Sequence, residues 1–295
     1  MKLLVIANPN VYENRRMRLE GRKLGHSVSV RRFREIDFDL RGDRTRVLIG
    51  GRPLDAQYDA IYFRHFPPSL IPEALLLAAW AKTRGIYVFE PSMADGSFVR
   101  SKIYDYWKLL DAGLPIPKSI QTLKLDRSAK YLKSFSWPIV AKGIHGSRGK
   151  YVYLLEKPKE AKKYLSDALV GFFTFQEYLE IEAEYRIVVI GGKAVGAMRK
   201  FSPEGDFRHN VAVGASGEKA VVPAAWNRIA EKAVKTLGYG LSGVDLAIVG
   251  KKPYLLEVNR TPAFAEFEKV TGANVAKLFI QHVAQNRHRR TAKRR

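Results

Sequence analysis

Short apolar runs alternate with helical patterns along the first 95 residues of the chain. Four of these runs are predicted strands, at residues 3–7, 27–33, 60–63 and 86–89. Residues 72–84 repeat apolar positions at helical spacing, and Gly85 ends that helix. Strands that alternate with helices are typical of a parallel sheet, so we predict an N-terminal α/β unit. Asn8 and Pro9 follow the first strand in place of a glycine-rich turn, so nothing predicts a dinucleotide site there.

A second pattern begins at Ser101, which precedes a run of helical spacing that ends at Gly113. That helix carries Ile103, Trp107 and Leu110 on one face. Beyond it we predict two adjoining strands (WPIVAK and KYVYLLE), a helical segment to about residue 169, the strand FFTFQEYL, a hairpin turning at residues 191–192, a helix over residues 224–237, a second hairpin, and a final helix from residue 274. The predicted fold class is therefore α/β (α+β). The N-terminal unit at residues 1–95 is followed by a central unit at residues 96–175, a C-terminal unit at residues 176–286 and a basic tail at residues 287–295.

Two polar residues interrupt the last apolar strand, PYLLEVN. Glu257 and Asn259 are two positions apart, so they lie on the same face of a strand. If the hairpin turns around Lys251, Asp245 lies opposite Glu257, and Leu256 points into the core. Carboxylate and amide oxygens are the ligands that magnesium prefers. The pattern fits a metal site or an exposed polar face, and the spacing alone does not decide between them.

The glycine-rich stretch GIHGSRGK, residues 143–150, lies between two predicted strands. Its backbone N–H groups could bind phosphate, as a lid over a nucleotide. It is not a Walker loop, because Ile144 stands where the first glycine belongs and Tyr151 follows Lys150 in place of serine or threonine. A hairpin tip without a ligand explains the pattern equally well.

The segment GDFRHN places Arg208 and Asn210 two residues apart, after a turn. Arginine and asparagine side chains are suited to holding a carboxylate or a phosphoryl group. The alternative interpretation is a surface strand that follows a turn.

Composition and charge favour a folded cytoplasmic protein with an anionic partner. Of its 295 residues 46% are hydrophobic, and there is no cysteine, which excludes disulfides and thiolate metal sites. The longest apolar stretch, LLLAAWA, is far shorter than the ~20 residues of a membrane helix. Lysine and arginine number 51 against 29 acidic residues, a net charge of +22 that suits RNA, a nucleotide or an acidic peptide. The basic end, RHRRTAKRR, has the simpler interpretation of a solvated segment.

Taken in order, these segments resemble the ATP-grasp ligases, and specifically the RimK-like branch that joins amino acids to carboxyl groups. The resemblance runs through nearly all of the chain and is tightest from Ser101 to Thr271. It implies an N-terminal pre-ATP-grasp domain followed by two α+β subdomains that clamp ATP. It also implies a ligase that converts a carboxylate to an acyl phosphate with ATP and then forms an amide with an amino acid such as glutamate.

The resemblance also implies roles for individual residues around the nucleotide. Lys102 and Lys142 would contact the ATP phosphates and the adenine edge, and Glu184 would hold the ribose hydroxyls. The phosphate lid would comprise Gly143, Gly146, Ser147 and Gly149, and the hinge whose backbone reads adenine would comprise Gln176, Glu177, Tyr178 and Leu179.

Further roles implied by the resemblance concern the reacting groups. The positive wall around the phosphate and the acyl carboxylate would comprise Arg186, Arg199, Lys200, Arg208 and Asn210. Asp245, Glu257 and Asn259 match the magnesium ligands of the family, with two ions expected and manganese as an alternative metal.

The chain departs from the family pattern directly after the sequence EVN. Where the family has a small residue, serine, proline and glycine, this chain has Arg260, Thr261, Pro262 and Ala263, and GASG at residues 214–217 replaces a glycine pair. Residues after the last metal ligand lie near the acceptor side, so the acceptor stays open among a peptide, a protein and a small-molecule carboxylate. The expected partners are ATP, an amino acid and that acceptor, with an acidic peptide or a ribosome- or RNA-associated protein among the candidates.

Other interpretations remain open at this point. A nucleic-acid-binding protein on an inactivated ATP-grasp scaffold would explain the net charge of +22. A kinase or another ATP-grasp dipeptide ligase would share the ATP site. No membrane partner is expected, and a homo-oligomer is left open.

Overall fold

The computed structural model describes residues 1–121, 130–143, 152–160, 173–201 and 216–287. The first part of the chain forms a parallel sheet, as predicted. Its strands are β1 (Lys2–Ile6), β2 (Ser27–Arg31), β6 (Ala60–Phe63) and β7 (Tyr87–Val88), in the order β2-β1-β6-β7. Helices α1 (Tyr12–Lys23), α2 (Ile71–Thr83) and α3 (Pro91–Asp95) belong to the same unit.

A small antiparallel sheet, which the sequence pattern did not predict, lies between β2 and β6 along the chain. It consists of β3 (Ile36–Asp39), β4 (Arg46–Ile49) and β5 (Arg52–Pro53). Alternating charged and apolar residues in short strands give only a weak signal against the loop residues that surround them.

A second, antiparallel sheet forms the central part of the chain. Its strands are β8 (Ser119–Gln121), β9 (Ile139–Gly143), β10 (Val152–Leu155) and β11 (Phe173–Glu177), in the order β10-β9-β11-β8. Before it comes helix α4 (Lys102–Asp111), whose N-cap Ser101 accepts a hydrogen bond from the Tyr104 N–H at 3.5 Å. Tyr106 and Leu109 are the buried residues of α4, whereas Trp107 and Leu110 of the predicted apolar face are exposed.

The C-terminal sheet is the largest of the described sheets. Its strands are β12 (Ala183–Ile190), β13 (Lys193–Phe201), β14 (Ser216–Ala220), β15 (Leu241–Val249) and β16 (Lys252–Asn259), in the order β14-β13-β12-β15-β16. Helix α5 (Ala224–Leu237) packs on one face, and α6 (Ala265–Thr271) and α7 (Val275–Asn286) pack on the other. The two predicted hairpins, α5 and the final helix are confirmed, and Gly191 and Gly192 turn the first hairpin with positive φ angles.

The N-terminal and C-terminal sheets share their hydrophobic cores. One core joins Ile61 and Phe63 of β6 to Val244 and Leu246 of β15, together with α2 and α5. A second joins the other faces of these sheets through α7. The central sheet has a separate core, which includes Ile139. Two parts of the protein are therefore fused by shared packing, while the third is packed on itself.

No helix in the described ranges has the length and apolar character to cross a membrane. Several predicted features lie outside the described residues: the lid residues Gly146, Ser147 and Gly149, the pair Arg208 and Asn210, the helical segment to residue 169, and the tail beyond Arg287.

Candidate active site

The hairpin of β15 and β16 contains one extra residue. The strands pair in one register from the turn as far as Leu246 and Leu255, and the register then shifts so that Asp245 pairs with Glu257. Leu256 is left without a cross-strand partner, as in a β-bulge. The bulge sets the side from which the acidic residues project.

The predicted pairing of Asp245 with Glu257 is confirmed, but the predicted inward position of Leu256 is wrong. Leu255 is fully buried in its place, and Leu256 is half-buried, with its carbonyl accepting a 2.9 Å hydrogen bond from the Tyr106 hydroxyl. Strict alternation from the turn fails because the bulge reverses the faces between Leu255 and Glu257.

Asp245 lies at the centre of a charged cluster on one face of the C-terminal sheet. Arg186 opposes it on β12, and the Arg186 Nε and Nη2 atoms donate hydrogen bonds of 2.8 Å to the two carboxylate oxygens. Lys200 on β13 opposes Glu184 on β12; its Nζ donates a hydrogen bond to Glu184 and lies 3.4 Å from Asp245 Oδ2. We call these four residues the Asp245 cluster. Buried charges are stable only when they are paired, and here two cations face two anions.

The electrostatics of the Asp245 cluster keep Asp245 ionised. Burial acts to raise the pKa of Asp245, but the positive charges of Arg186 and Lys200 outweigh it and hold the pKa below its usual range. Burial raises the pKa of Glu184 to about 7, although Lys200 opposes this shift. The pKa values of the two carboxyl groups therefore shift in opposite directions, and the positive neighbours favour the anionic form of Asp245.

Glu257 and Asn259 extend this polar face to the neighbouring strand. The Asn259 amide Nδ2 donates to Glu257 Oε2 at 3.3 Å, and Glu257 is exposed to solvent. No group of three His, Cys, Asp or Glu residues suited to a metal occurs among the described residues. The donor set that does occur, two carboxylates and one amide, suits magnesium, which commonly takes one or two protein carboxylates and completes its shell with water and phosphate oxygens. The residues present therefore fit the implied metal.

Lys142 lies on the central sheet within a hydrogen-bonded chain. Its Nζ donates to Gln176 Oε1 at 2.6 Å, and Gln176 Nε2 donates to Ser119 Oγ at 2.9 Å. Gln176 is buried on β11, where it pairs with Val140 of β9, so it lies two positions along the ladder from Lys142, which pairs with Thr174. The structure thus brings together two of the residues predicted to contact the nucleotide. Gly143, also predicted there, is the buried last residue of β9.

The predicted hinge begins at the end of β11. The Glu177 carboxylate accepts a 2.7 Å hydrogen bond from the Lys118 N–H, and the Glu177 N–H donates to the Lys118 carbonyl at 3.0 Å. Tyr178 and Leu179 follow the strand, the first exposed and the second half-buried. The backbone beyond Glu177 is therefore outside the described sheet.

Lys102 is the first residue of α4, close to an acid that the sequence analysis missed. Burial raises the pKa of Asp105 to about 7, with Glu257 adding to the rise and Lys102 opposing it. The Tyr239 hydroxyl donates to Asp105 Oδ1 at 3.1 Å. The Tyr106 hydroxyl of the same helix donates to the Leu256 carbonyl, so α4 lies beside the acidic end of β16. An aspartate one turn into a helix gives no sequence signal of this contact.

The structure does not bring Arg199 to the Asp245 cluster. Arg199 pairs across the strands with Tyr185, which packs on Trp226 of α5, and its guanidinium lies 5.2 Å from the Phe201 ring centroid. Its neighbour Lys200 projects from the opposite face because successive residues of a strand alternate. Of this adjacent pair, only Lys200 faces the acids.

Arg260, which departs from the family pattern, is held by the N-terminal unit. Its Nη1 donates at 2.6 Å both to Glu90 Oε2 and to the Phe63 carbonyl. Glu90 is fully buried, and burial raises its pKa to about 7 against the attraction of Arg260. The sequence marked this position as unusual but did not indicate the partner.

Comparison with known proteins agrees with this architecture. A RimK-like ATP-grasp domain matches residues 100–283. The chain is 30% identical over 290 residues to the "Probable alpha-L-glutamate ligase" of Marinomonas sp. (strain MWYL1), covering 96% of this chain and 95% of that protein. It is 29% identical over 293 residues to the "Probable alpha-L-glutamate ligase 2" of Pseudoalteromonas atlantica (strain T6c / ATCC BAA-1087), with 97% and 96% covered.

Solved structures of similar shape are ATP-grasp proteins. The ATP-grasp ligase PsnB, complexed with minimal precursor, Mg and ADP, superposes with a TM-score of 0.74 at 18% identity and 97% coverage of both chains. A RimK domain protein ATP-grasp from Sphaerobacter thermophilus DSM 20745 gives a TM-score of 0.70 at 17% identity, covering 96% of this chain and 100% of that one. At these identities the similarity shows the fold alone, and it confirms the predicted ATP-grasp fold. Together with the match over residues 100–283, it leads to the conclusion that the chain belongs to the RimK-like ATP-grasp family.

Proposed function

We propose that the protein is an ATP- and magnesium-dependent carboxylate–amine ligase that adds an amino acid, such as glutamate, to the carboxyl group of a peptide, a protein or a small molecule. The observation that carries the proposal is the Asp245 cluster beside Glu257, a set of paired charges on one face of a sheet. Two relatives, which bear the names "Probable alpha-L-glutamate ligase" and "Probable alpha-L-glutamate ligase 2", support glutamate as the amino acid.

Two bond exchanges make up the proposed reaction. A carboxylate oxygen of the acceptor attacks the γ-phosphorus of ATP, the bond from that phosphorus to the bridging oxygen breaks, and ADP leaves. The amine of the amino acid then attacks the carbonyl carbon of the acyl phosphate. The carbon–oxygen bond to phosphate breaks, phosphate leaves, and the amine loses a proton as the amide forms.

The side chains of this chain supply charge and position for those steps. Asp245, Glu257 and Asn259 would hold magnesium, which neutralises phosphate charge when it is bound; two ions are part of the proposal, with manganese as an alternative. Arg186 and Lys200 form ion pairs with Asp245, and in this proposal their positive charge would offset the charge that develops during phosphoryl transfer. Neither step requires a side-chain nucleophile.

Residues of the central sheet and of α4 would bind the nucleotide. Lys142 and Lys102 carry the positive charge for its phosphates, and residues 176–179 supply backbone for adenine. Glu184 stays a proposed ribose ligand on the family resemblance, although here its buried carboxylate accepts a hydrogen bond from Lys200. The remaining assignments, Arg199, Arg208, Asn210 and the lid residues Gly146, Ser147 and Gly149, rest on the family resemblance.

Product analysis by mass tests the proposal. The protein is incubated with ATP, magnesium and pooled amino acids, with small dicarboxylic acids and acidic peptides as acceptors. We expect an acceptor heavier by one amino acid residue and one ADP per bond formed. ATP-independent product, or no product with any acceptor while ATP binds, would contradict it.

A nucleic-acid-binding protein on an inactivated scaffold is the second candidate, favoured by the net charge of +22. It predicts salt-sensitive RNA binding without ATP turnover. The Asp245 cluster beside Glu257 and Asn259 favours the ligase, because RNA binding alone does not require buried paired charges next to further oxygen donors. A cytoplasmic location is part of the ligase proposal, since ATP and the proposed acceptors are found there.

A further inference from the structure

Asn259, the last in sequence of the three proposed metal ligands, is also the last residue of an edge strand. In the described sheet β16 pairs with β15 alone, and this pairing ends where Asn259 meets Gly243. The chain bends at the next two residues, Arg260 and Thr261. The end of an edge strand has a hydrogen-bonding partner on one side only, so it opens more readily than the interior of the sheet. A metal ligand at this position therefore requires a second support.

The side chain of Arg260 attaches this bend to the N-terminal unit. Its Nη1 donates hydrogen bonds of 2.6 Å to the Phe63 carbonyl and to Glu90 Oε2, and its Nη2 donates to the Arg64 carbonyl at 3.4 Å. Phe63 is the last residue of β6, which has a paired strand on each side. Glu90 is fully buried. The residue that follows Asn259 is therefore bound to the interior of the N-terminal unit.

Two aromatic rings restrict the guanidinium further. Its carbon lies 4.8 Å from the Phe98 ring centroid and 5.4 Å from that of Phe66. A planar guanidinium can contact aromatic rings and donate several hydrogen bonds in fixed directions at the same time. The ammonium of a lysine would keep the charge beside Glu90 but would lack this planar geometry. The set of contacts is therefore specific to arginine.

Arg64 provides a second attachment of the same bend. It is buried beside Glu13, and its Nη2 donates to the Pro262 carbonyl at 2.9 Å. Pro262 is buried and packs against Gly243, where an added Cβ would meet Pro262 Cβ at 3.1 Å. Because Gly243 is the cross-strand partner of Asn259, the bend covers the pair that ends the ladder. Two arginine contacts from the N-terminal unit thus fix the chain directly after the last metal ligand.

We propose that Arg260 is a positioning residue for the metal site, which holds the end of β16 against the N-terminal unit and so keeps Asn259 in place beside Glu257. The inference rests on the proposed ligase function, because it takes Asn259 as a metal ligand. Groups that orient the ligands of a metal contribute to its affinity although they do not touch it. A purely structural role of Arg260 would instead lower stability and leave metal affinity unchanged.

Metal binding tests the proposal without turnover. Mn²⁺ is titrated into the full chain with ADP present, and the electron paramagnetic resonance signal of free Mn²⁺ gives the Kd for the wild type and for Arg260→Lys. Arg16→Lys is the matched control. The Arg16 Nε atom donates to Glu268 Oε2 at 3.0 Å and so joins α1 to α6, and neither residue is adjacent in the chain to a proposed metal ligand. Melting temperatures are measured for all three proteins.

We expect Arg260→Lys to weaken Mn²⁺ binding roughly 10-fold, the lower end of the usual effect of a group that orients metal ligands. The affinity for ADP without metal should not change. Arg16→Lys should lower the melting temperature and leave the Kd for Mn²⁺ as in the wild type. In ligation assays Arg260→Lys should raise the KM for magnesium more than it lowers kcat, because excess metal compensates for a displaced ligand.

A second variant covers the case in which Arg260→Lys does not fold. Arg64→Lys loosens the same bend through Pro262 and should weaken Mn²⁺ binding in the same direction. Wild-type Mn²⁺ affinity in a folded Arg260→Lys or Arg64→Lys protein, an equal loss in Arg16→Lys, or no Mn²⁺ binding by the wild type with ADP would each overturn the proposal. Failure of the ligase function appears differently, as absence of ATP-dependent product from a wild-type protein that binds Mn²⁺.

Discussion

Arg186 presents two nitrogens to the two oxygens of Asp245, at 2.8 Å each, although Asp245 is also a proposed metal ligand. A carboxylate has about four acceptor positions, so it can serve a guanidinium and a metal together. Asp245 therefore has a structural role beside its proposed role at the metal, whereas Glu257 is exposed and forms no ion pair with the four residues of the Asp245 cluster.

The two proposed metal carboxylates should respond differently to neutralisation. We expect Glu257→Gln to lower ATP-dependent ligation roughly 100-fold or more with little change in melting temperature. Asp245→Asn should lose the same activity and also about 3–5 kcal/mol of unfolding free energy, because it leaves Arg186 and Lys200 buried without their shared partner. Ligation rates and urea unfolding measure the two effects. Equal stability of both variants would contradict the structural role of Asp245.

Replacing Lys142 should weaken nucleotide binding. Lys142→Met keeps most of the side-chain length but removes the ammonium that contacts Gln176. We expect the KM for ATP to rise roughly 10-fold, the usual scale for one charged hydrogen bond. Lys23→Met, on the surface of α1, is the control. If both variants have the KM of the wild type, Lys142 has no role at the phosphates.

A methyl group at Gly243 should disturb the Asp245 cluster through contact alone. Its Cβ would meet Pro262 at 3.1 Å and Arg186 at 3.4 Å, tighter than ordinary contacts. Gly243→Ala is expected to reduce ligation several-fold by moving Arg186 away from Asp245, with a smaller effect on stability. Gly42→Ala, where an added Cβ meets nothing within 4 Å, should leave ligation unchanged. A fully active Gly243→Ala variant would show that Arg186 tolerates displacement.

Glu90 should make stability fall as the pH rises toward neutrality. Burial raises its folded-state pKa to about 7, above the value of about 4.3 for an unfolded glutamate. Between these pH values the folded state therefore binds more protons than the unfolded state. The stability that Glu90 contributes is fully present below about pH 4.3 and is lost as the pH rises to about 7. Glu90→Gln should flatten this decline, by on the order of 3 kcal/mol. Urea unfolding of the wild type and of Glu90→Gln at pH 5 and pH 7.5 measures the change in unfolding free energy. If this change is the same in both proteins, Glu90 does not have the predicted effect.

Truncation after Arg287 should affect a macromolecular acceptor only. Arg287 Nη1 lies 3.1 Å from Asp59 Oδ2, so the cut belongs at residue 288 and not before it. Removing residues 288–295 takes away Arg289, Arg290, Lys293, Arg294 and Arg295, which lowers the net charge from +22 to 22 − 5 = +17. Binding of an acidic protein or an RNA-associated acceptor should weaken and depend less on salt, with the KM for ATP unchanged. If the full-length and truncated proteins bind the acceptor with equal affinity at low and at physiological salt, the tail does not have this role.

Much of the fold could be predicted because its elements follow regular periods. The predicted bounds of the helix at residues 224–237 and of the strand at residues 60–63 are the same as those in the structure. The pairing of Asp245 with Glu257 was predicted from a turn centre, yet the structure reaches it through a bulge at Leu256. The assumed turn centre at Lys251 differs from the observed one by half a residue, and no bulge was predicted. These two differences compensate, so the predicted pairing of Asp245 with Glu257 is still correct.

The parts that the sequence did not reveal depend on contacts between distant segments. Nothing local indicates that Arg260 binds Glu90, 170 residues earlier, or that Tyr239 contacts Asp105. The apolar pattern of α4 did not identify its buried face, because the exposed residues Trp107 and Leu110 are as apolar as the buried ones. Periodicity predicts which residues share a face, but packing decides which face is covered.

The separate core of the central sheet has a mechanical consequence. Residues 119–177 leave and rejoin the rest of the chain at Lys118 and Glu177, and these two residues are hydrogen-bonded to each other. Among the described residues, the central sheet has its own strand pairing and its own core, so a rotation of this sheet as a rigid body would be taken up near this pair. Glu177 also begins the segment proposed to read adenine. A nucleotide bound to that segment would restrict motion around Lys118 and Glu177. Nucleotide binding would therefore also fix the angle between the central sheet and the rest of the protein.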